Sequence, residues 1–200
     1  ERVYKVRVAE RRATQSHHAP PLLVRPVTLL CRSSRRCGLA GMVSLREGAP
    51  PPSRDALLSM ASAMQHRGPD EFGIYRDTHA GLAHARLSLV DLNTGQQPMT
   101  HANGKLWVVF NGEIYNHVEL RHVLQGHGHV FRTTSDTEVI LAAWVQWGPA
   151  AFERMNGQWA VALWNESTRE LVLARDPMGI CPLHWCEHQG QLLFASEVKA

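Results

Sequence analysis

Cysteine is scarce. Four in 200 residues, at positions 31, 37, 181 and 186, are too few for a disulfide framework, so a reducing compartment, the cytoplasm, is the expected location. Long apolar runs are missing too. The longest in the N-terminal part, PLLVRPVTLLC (Pro21 to Cys31), contains Arg25 and Pro26 and cannot span a bilayer, which excludes a membrane partner of that kind. Acidic residues are nearly absent from the start of the chain: residues 1–36 carry nine Lys/Arg against two acids, whereas 37–200 carry twelve against sixteen. The first segment is a basic extension and the remainder is mildly acidic. A basic body would point to nucleic acid. Here the excess sits in a Pro- and Arg-containing segment without the interleaved aromatics that stack on bases, so nucleic acid is not an expected partner. The Arg-rich, acid-poor composition also resembles a transit peptide; no Met precedes Met42, and translated upstream sequence is the competing reading.

An apolar fraction of 44% is enough for one ordinary domain, assigned to residues 37–200, with 1–36 as an extension. CGLAGMVSL reads as a strand. PPPSRDALLSMASAMQHRG reads as a turn, a Ser53 cap and a helix presenting Leu57, Leu58, Ala61 and Met64 on one face. FGIYRD, GLAHARLSLV, KLWVVF and EIYN are short runs of β-formers separated by turn residues. Helices are expected over His117 to Gln125 and over Asp136 to Trp147, the latter opened by a Ser135/Glu138 capping box and closed by Gly148-Pro149. QWAVALWN, ELVLARD, PLHWCEH and QLLFASE follow as hairpin-linked strands. Hairpins force antiparallel pairing, and the helices are grouped instead of alternating with strands, so the fold class is α+β. LWVVF and WAVALW are apolar at nearly every position, which calls for cover on both faces: two stacked antiparallel sheets with helices outside, an αββα sandwich.

CPLHWCEH, with Cys181, His184, Cys186 and His188, has zinc-ligand chemistry. As a strand, however, it spaces His184, Cys186 and His188 about 7 Å apart per step on one face, too far to share one tetrahedral ion, and no metal is expected. Asn111-Gly112 taken alone reads as a hairpin turn. Arg86 in the apolar run HARLSLV needs a partner, for which a salt bridge to a surface acid is the ordinary solution. Asp136 in the first turn of a helix is stabilised by the helix dipole.

Four signatures stand in order: CGLAG at Cys37, HARLSLVDLNTGQQPM from His84, NGEIYN from Asn111 and SDTE from Ser135. With HRGPDE (His66 to Glu71), RDPMG (Arg175 to Gly179) and FASEVKA they resemble the N-terminal glutaminase domain of glutamine-dependent asparagine synthetase. That is a class II glutamine amidotransferase of the N-terminal-nucleophile hydrolase superfamily. The resemblance implies the four-layer αββα fold of that superfamily and a role for each residue. Cys37 would be the nucleophile. Asn111 (side chain) and Gly112 (N–H) would form the oxyanion hole. Arg86 would hold the α-carboxylate of glutamine, a job suited to the guanidinium fork. The backbone of Leu87, Ser88, Leu89 and Val90 would line the pocket, and Glu113 with Asp136 would take the α-ammonium. No cofactor is implied for this segment. ATP and magnesium belong to a C-terminal synthetase domain, which the resemblance implies as the partner and ammonia acceptor, and the full protein could homodimerise.

In that superfamily the base is the free α-amine of the nucleophile itself. Cys37 is preceded by Arg36, so its nitrogen is a peptide amide, whose delocalised lone pair is no base. The uncut chain is therefore expected to be a poor glutaminase, and the active form to begin at Cys37. Removal of a propeptide, an artefactual start to the reading frame, and a catalytically silent domain all remain open. A second departure is Cys181, where relatives commonly carry Lys or Arg. The alternative functions are an amidotransferase domain serving another acceptor and a glutaminase-like scaffold without activity.

Overall fold

The computed structural model describes residues 3–7, 37–46, 49–86 and 95–200. Strands β1 (Val3–Arg7), β2 (Gly38–Ser44), β3 (Glu71–Arg76), β4 (Ala80–Arg86), β5 (Met99–Thr100), β6 (Leu106–Ile114), β7 (Gly157–Asn165), β8 (Glu170–Arg175), β9 (His184–His188) and β10 (Gln191–Ala195) form two five-stranded sheets. One has the order β1-β8-β7-β6-β5 and the other β3-β4-β2-β10-β9, every pairing being antiparallel. Helices α1 (Arg54–Ala63), α2 (His117–Gly126), α3 (Asp136–Trp147) and α4 (Ala151–Arg154) flank them.

Side-chain alternation along the strands explains why two sheets stack between helices. On β7, Ala160, Ala162 and Trp164 face the other sheet, while Trp159, Val161 and Leu163 face α3. On β8, Leu171 and Leu173 take the first role and Val172 and Ala174 the second. On the other sheet, Leu39, Val43, Ala80 and Leu82 point inward, and Ala40, Met42, Ala83 and Ala85 point outward against α1. Three apolar clusters thus fill three gaps, helix on sheet, sheet on sheet and sheet on helix, which is the expected αββα layering. Within the second sheet, Gly41 makes room for the ring of its cross-strand neighbour Phe194: a Cβ there would sit 2.4 Å from that ring and 2.5 Å from the Gly81 carbonyl.

Most expected elements are present, with local differences. KLWVVF and EIYN are one strand, because Asn111-Gly112 lies inside β6, paired with Ala160 and Trp159, instead of turning the chain. In α1, Ser53 caps as expected, its Oγ accepting from the Ala56 N–H, but Met60 is buried and Leu58 is only half-buried. In α3, the Ser135 Oγ accepts from the Thr137 N–H, whereas Glu138 does not complete a capping box. Its carboxylate accepts the N–H groups of Arg132 and Thr133 and the Thr133 hydroxyl, holding the loop before the helix. Gly148, at φ 56°, ends α3. No element was expected at Val3–Arg7, yet this run of β-formers is an edge strand on β8, with Lys5 Nζ 3.0 Å from a Glu170 oxygen. The rest of the 1–36 extension lies outside the described residues. Among the described residues, no helix is long and apolar enough to cross a membrane.

Trp164 is fully buried between the sheets, and its indole N–H donates to Asp77 Oδ2 at 2.7 Å. Trp164→Ala is expected to cost about 3–5 kcal/mol, read as a lower urea midpoint at unchanged slope. A loss under about 1 kcal/mol would contradict the assignment of this gap as a close-packed core.

Candidate active site

The apolar filling between the sheets stops at one end, and the positions that continue it are polar. Following the inward alternation, Val43, Gly41 and Leu39 lead to Cys37; Ala80 and Leu82 lead to His84 and Arg86; Val109 leads to Asn111. In sheet register Gly38 pairs with Ala85, so one step further Cys37 stands across from Arg86. Arg86 in turn pairs with Glu71 on β3. The gap is bridged here by a hydrogen bond from β4 to β6, His84 Nε2 to the Phe110 carbonyl at 3.1 Å. Cys37, His84, Arg86 and Asn111 thereby share one end of the inter-sheet space.

Asn111 is completely buried, and neither its Nδ2 nor its Oδ1 has a partner among the described residues. An unpaired buried amide costs about 1–3 kcal/mol, so its retention marks a group held ready for a ligand. The next residue, Gly112, has φ +143°, and a Cβ there would lie 2.0 Å from the Gln158 carbonyl. Only glycine fits.

The edge of β6 that faces away from β7 is held by side chains in place of a strand. β5 pairs only as far as Met99 with Val108. Beyond it, the Phe110 N–H donates to Gln97 Oε1 at 2.6 Å and the Ile114 N–H to Asp136 Oδ2 at 3.1 Å. By ladder alternation the Gly112 N–H faces the same edge, between these two. Gln97 Nε2 also donates to Thr137 Oγ1 at 3.3 Å, which ties the strand to the first turn of α3.

The main chain at Cys37 is fixed from the other side. Arg67 Nε donates to the Cys37 carbonyl at 3.2 Å, and its NH1 donates to Glu197 Oε1 at 3.1 Å. Glu197 also takes His66 Nε2 at 2.8 Å and Lys199 at 3.3 Å. Burial alone would raise this carboxyl, but the hydrogen bonds from Arg67 and His66 hold it below its usual range. Cys37 as a residue is half-buried. Ser196 clasps β2 with its N–H on the Leu39 carbonyl and its Oγ accepting from the Leu39 N–H.

Of the candidate residues named from the sequence, Arg86 is buried and makes the ion pair set against a ligand role, to Glu71 Oε2 at 3.3 Å. Glu113 is exposed on β6. Asp136 is largely buried, and no Lys or Arg ion pair forms with it among the described residues. Burial pushes its carboxyl above the ordinary 3.8, opposed by the Ile114 N–H, His117 and the Thr137 N–H and reinforced by Glu113. Leu87, Ser88, Leu89 and Val90 lie outside the described residues. Sequence reasoning assigned no role to His84, Arg67 or Gln97, although HRGPDE and TGQQPM had been singled out as motifs; a tie to a main-chain group leaves no periodic signal. Cys181 is buried, its N–H donating to Asp176 Oδ2 at 3.1 Å. Among the described residues, no three His, Cys, Asp or Glu side chains are placed to share a metal ion.

A family model described as a glutamine amidotransferase domain matches residues 36–200. The chain belongs to this family. It is 39% identical over 165 residues to asparagine synthetase [glutamine-hydrolyzing] 1 of Bacillus subtilis, covering 82% of this chain and 26% of that protein. It is 41% identical over 166 residues to asparagine synthetase B of Escherichia coli, covering 82% and 29%. The chain thus spans about a quarter of the length of these relatives. The glutamine phosphoribosylpyrophosphate amidotransferase of B. subtilis, solved with ADP and GMP, superposes with a TM-score of 0.65 at 22% identity, over 80% of this chain and 42% of that one. This likeness supports the fold alone. The family match and the asparagine synthetase relatives make it a class II glutamine amidotransferase domain similar to the N-terminal part of asparagine synthetases.

In this amidotransferase domain, Asp136 holds its proton more tightly folded than unfolded. Its contribution to stability is therefore greatest below 3.8 and is lost as pH rises through the raised folded value. Asp136→Asn is expected to be more stable than the parent at pH 7, with the difference vanishing towards pH 3. Urea unfolding at both pH values checks this, and a variant no more stable than the parent at pH 7 would count against it.

Proposed function

We propose that the domain hydrolyses the side-chain amide of glutamine to glutamate and ammonia through a thioester on Cys37. The observation that carries this reading is the fully buried amide of Asn111, without a partner among the described residues, directed into the same end of the inter-sheet space as Cys37 and Arg86 on the opposite sheet. Arg86 would take the substrate α-carboxylate in place of, or beside, Glu71, and Asp136 with Glu113 the α-ammonium. That leaves the side-chain amide directed at the sulfur. A free α-amine on Cys37 removes the thiol proton, and the thiolate adds to the amide carbon. The oxygen that becomes negative is met by Asn111 Nδ2 and the Gly112 N–H. The proton passes to the departing nitrogen, ammonia leaves, and water then cleaves the thioester to glutamate. Arg67, on the Cys37 carbonyl, keeps the nucleophile's main chain in place while the bonds change.

The relatives are named as asparagine synthetases, and the reading extends to them: ammonia would pass to an ATP- and magnesium-dependent synthetase domain. Another acceptor, or a domain kept as a silent scaffold, are the alternative readings.

The proposed base requires that the peptide between Arg36 and Cys37 be cut. Ser33→Ile, Ser34→Glu and Arg35→Gly would place a factor Xa site ending at Arg36, so that cleavage of the otherwise complete chain exposes Cys37. Glutaminase activity is expected only after cleavage and is expected to vanish in Cys37→Ala; Asn111→Ala should lower kcat about 10²- to 10³-fold. Activity undiminished in the uncut chain would refute the amine mechanism, and silence after cleavage would favour the scaffold.

Substrate ammonium pairs with the charged form of Asp136. kcat/KM should therefore fall as pH is lowered through the raised value of that carboxyl, separately from the amine near 7.7–8.0. Asp136→Asn should lower kcat/KM and remove the lower inflection from the pH profile. An unchanged acid limb would separate Asp136 from substrate binding.

A further inference from the structure

His84 is a buried titratable group for which the proposed chemistry has no use. It occupies an inward position that continues Ala80 and Leu82, where an apolar side chain would satisfy the core, and it is 1% exposed. Burial, aided by Arg86 and opposed by the bond to Phe110, lowers its pKa to about 4, so the ring is neutral at neutral pH. A neutral ring whose Nε2 faces a carbonyl carries its proton on that nitrogen. Nδ1 is then an acceptor, and it has no partner among the described residues. The imidazole is buried with half its hydrogen-bonding capacity unmet, for one bond to Phe110.

That bond falls where the strand needs it. The ladder of β5 ends at Met99 with Val108, and Phe110 is the next residue whose N–H and carbonyl face that edge. The peptide between Phe110 and Asn111 has its N–H side on β7, where Asn111 pairs with Ala160, but its carbonyl on the open edge has no strand to fix its tilt, and a change in that tilt would swing the Asn111 amide. His84 grips the oxygen of this peptide at 3.1 Å, and Gln97 grips the preceding N–H at 2.6 Å. Two side chains replace the missing strand and leave the edge open to a substrate at the next residue.

We infer that His84 is a positioning residue for the oxyanion hole: its Nε2–H, held across the inter-sheet gap on the Phe110 carbonyl, sets the peptide plane from which the Asn111 amide is aimed, with Gln97 fixing the plane before it. The inference rests on the glutaminase reading and names the source of that site's rigidity. His84 itself touches neither substrate nor sulfur in this role.

The test uses the full chain carrying the factor Xa site, cleaved to expose Cys37, with His84→Leu, which cannot donate, and His84→Gln, which keeps a donor of similar reach. Loss of about 1 Å in alignment can cost about 10²-fold. His84→Leu is expected to lower kcat for glutamine by about that factor with KM nearly unchanged, and His84→Gln to restore most of it. Affinity for glutamate γ-semialdehyde, whose adduct with the Cys37 thiol places an oxyanion in the hole, should fall in parallel with kcat, while inhibition by glutamate should not move. Wild-type kcat in His84→Leu, no rescue by glutamine, or equal losses in glutamate and semialdehyde affinity would overturn the inference. If His84→Leu does not fold, Gln97→Met carries the test: the same selective loss of kcat supports the inference, and an unchanged kcat overturns it. A parent chain that stays inactive after cleavage removes the glutaminase reading itself, whereas an active parent with an indifferent His84→Leu removes only the role of His84.

Discussion

The close stacking of two sheets is the constraint on which the rest depends. Alternation sends every second side chain of β2, β4, β6, β7 and β8 into a single gap, and those buried apolar side chains fill it. A strand entering such a gap cannot choose the direction of its next inward side chain. Once Leu39, Leu82 and Val109 are placed by packing, Cys37, His84 and Asn111 point into the same space by the two-residue repeat alone. The candidate site is the end of the core, built by the same rule and differing only in that its residues are polar.

Those polar residues are held at a cost to the fold. Asn111 has both amide atoms unpaired, His84 has one ring nitrogen unpaired, and Asp136 has no Lys or Arg ion pair among the described residues. Each would be a fault in a purely structural core. Asn111 itself, the Phe110 carbonyl that His84 holds and the Ile114 N–H that Asp136 holds all lie on one strand, β6, the pattern of a site whose groups are kept for a ligand at the expense of stability.

The surroundings are correspondingly stiff. Arg67 ties the Cys37 carbonyl to Glu197 near the end of the described chain, Ser196 clasps Leu39, and Gln97 joins β6 to α3. Two segments far apart in sequence, at Arg67 and at Ser196 with Glu197, converge on Cys37 and Leu39 at the start of β2. The bonds at Cys37, Leu39 and Phe110 end on main-chain groups, so what they constrain is the direction of the backbone, which in turn aims the side chains.

Much of this was legible in advance. Antiparallel stacking follows from hairpin signals and doubly apolar strands such as WAVALW, the caps at Ser53 and Ser135 follow from local chemistry, and membership of the amidotransferase family follows from motif order. These are properties of neighbouring residues, and short-range sterics and hydrogen bonding decide them. Tertiary structure decided what neighbours cannot. Asn111-Gly112 runs on as strand because β7 lies alongside to pair with it, Glu138 serves a loop because that loop folds over the helix, and Val3–Arg7 finds an edge on β8. His84 and Gln97 acquire a role because β5 ends two residues short of Phe110. Such outcomes depend on which distant backbone groups arrive unpaired at the same place, a matter of long-range packing that no local pattern encodes.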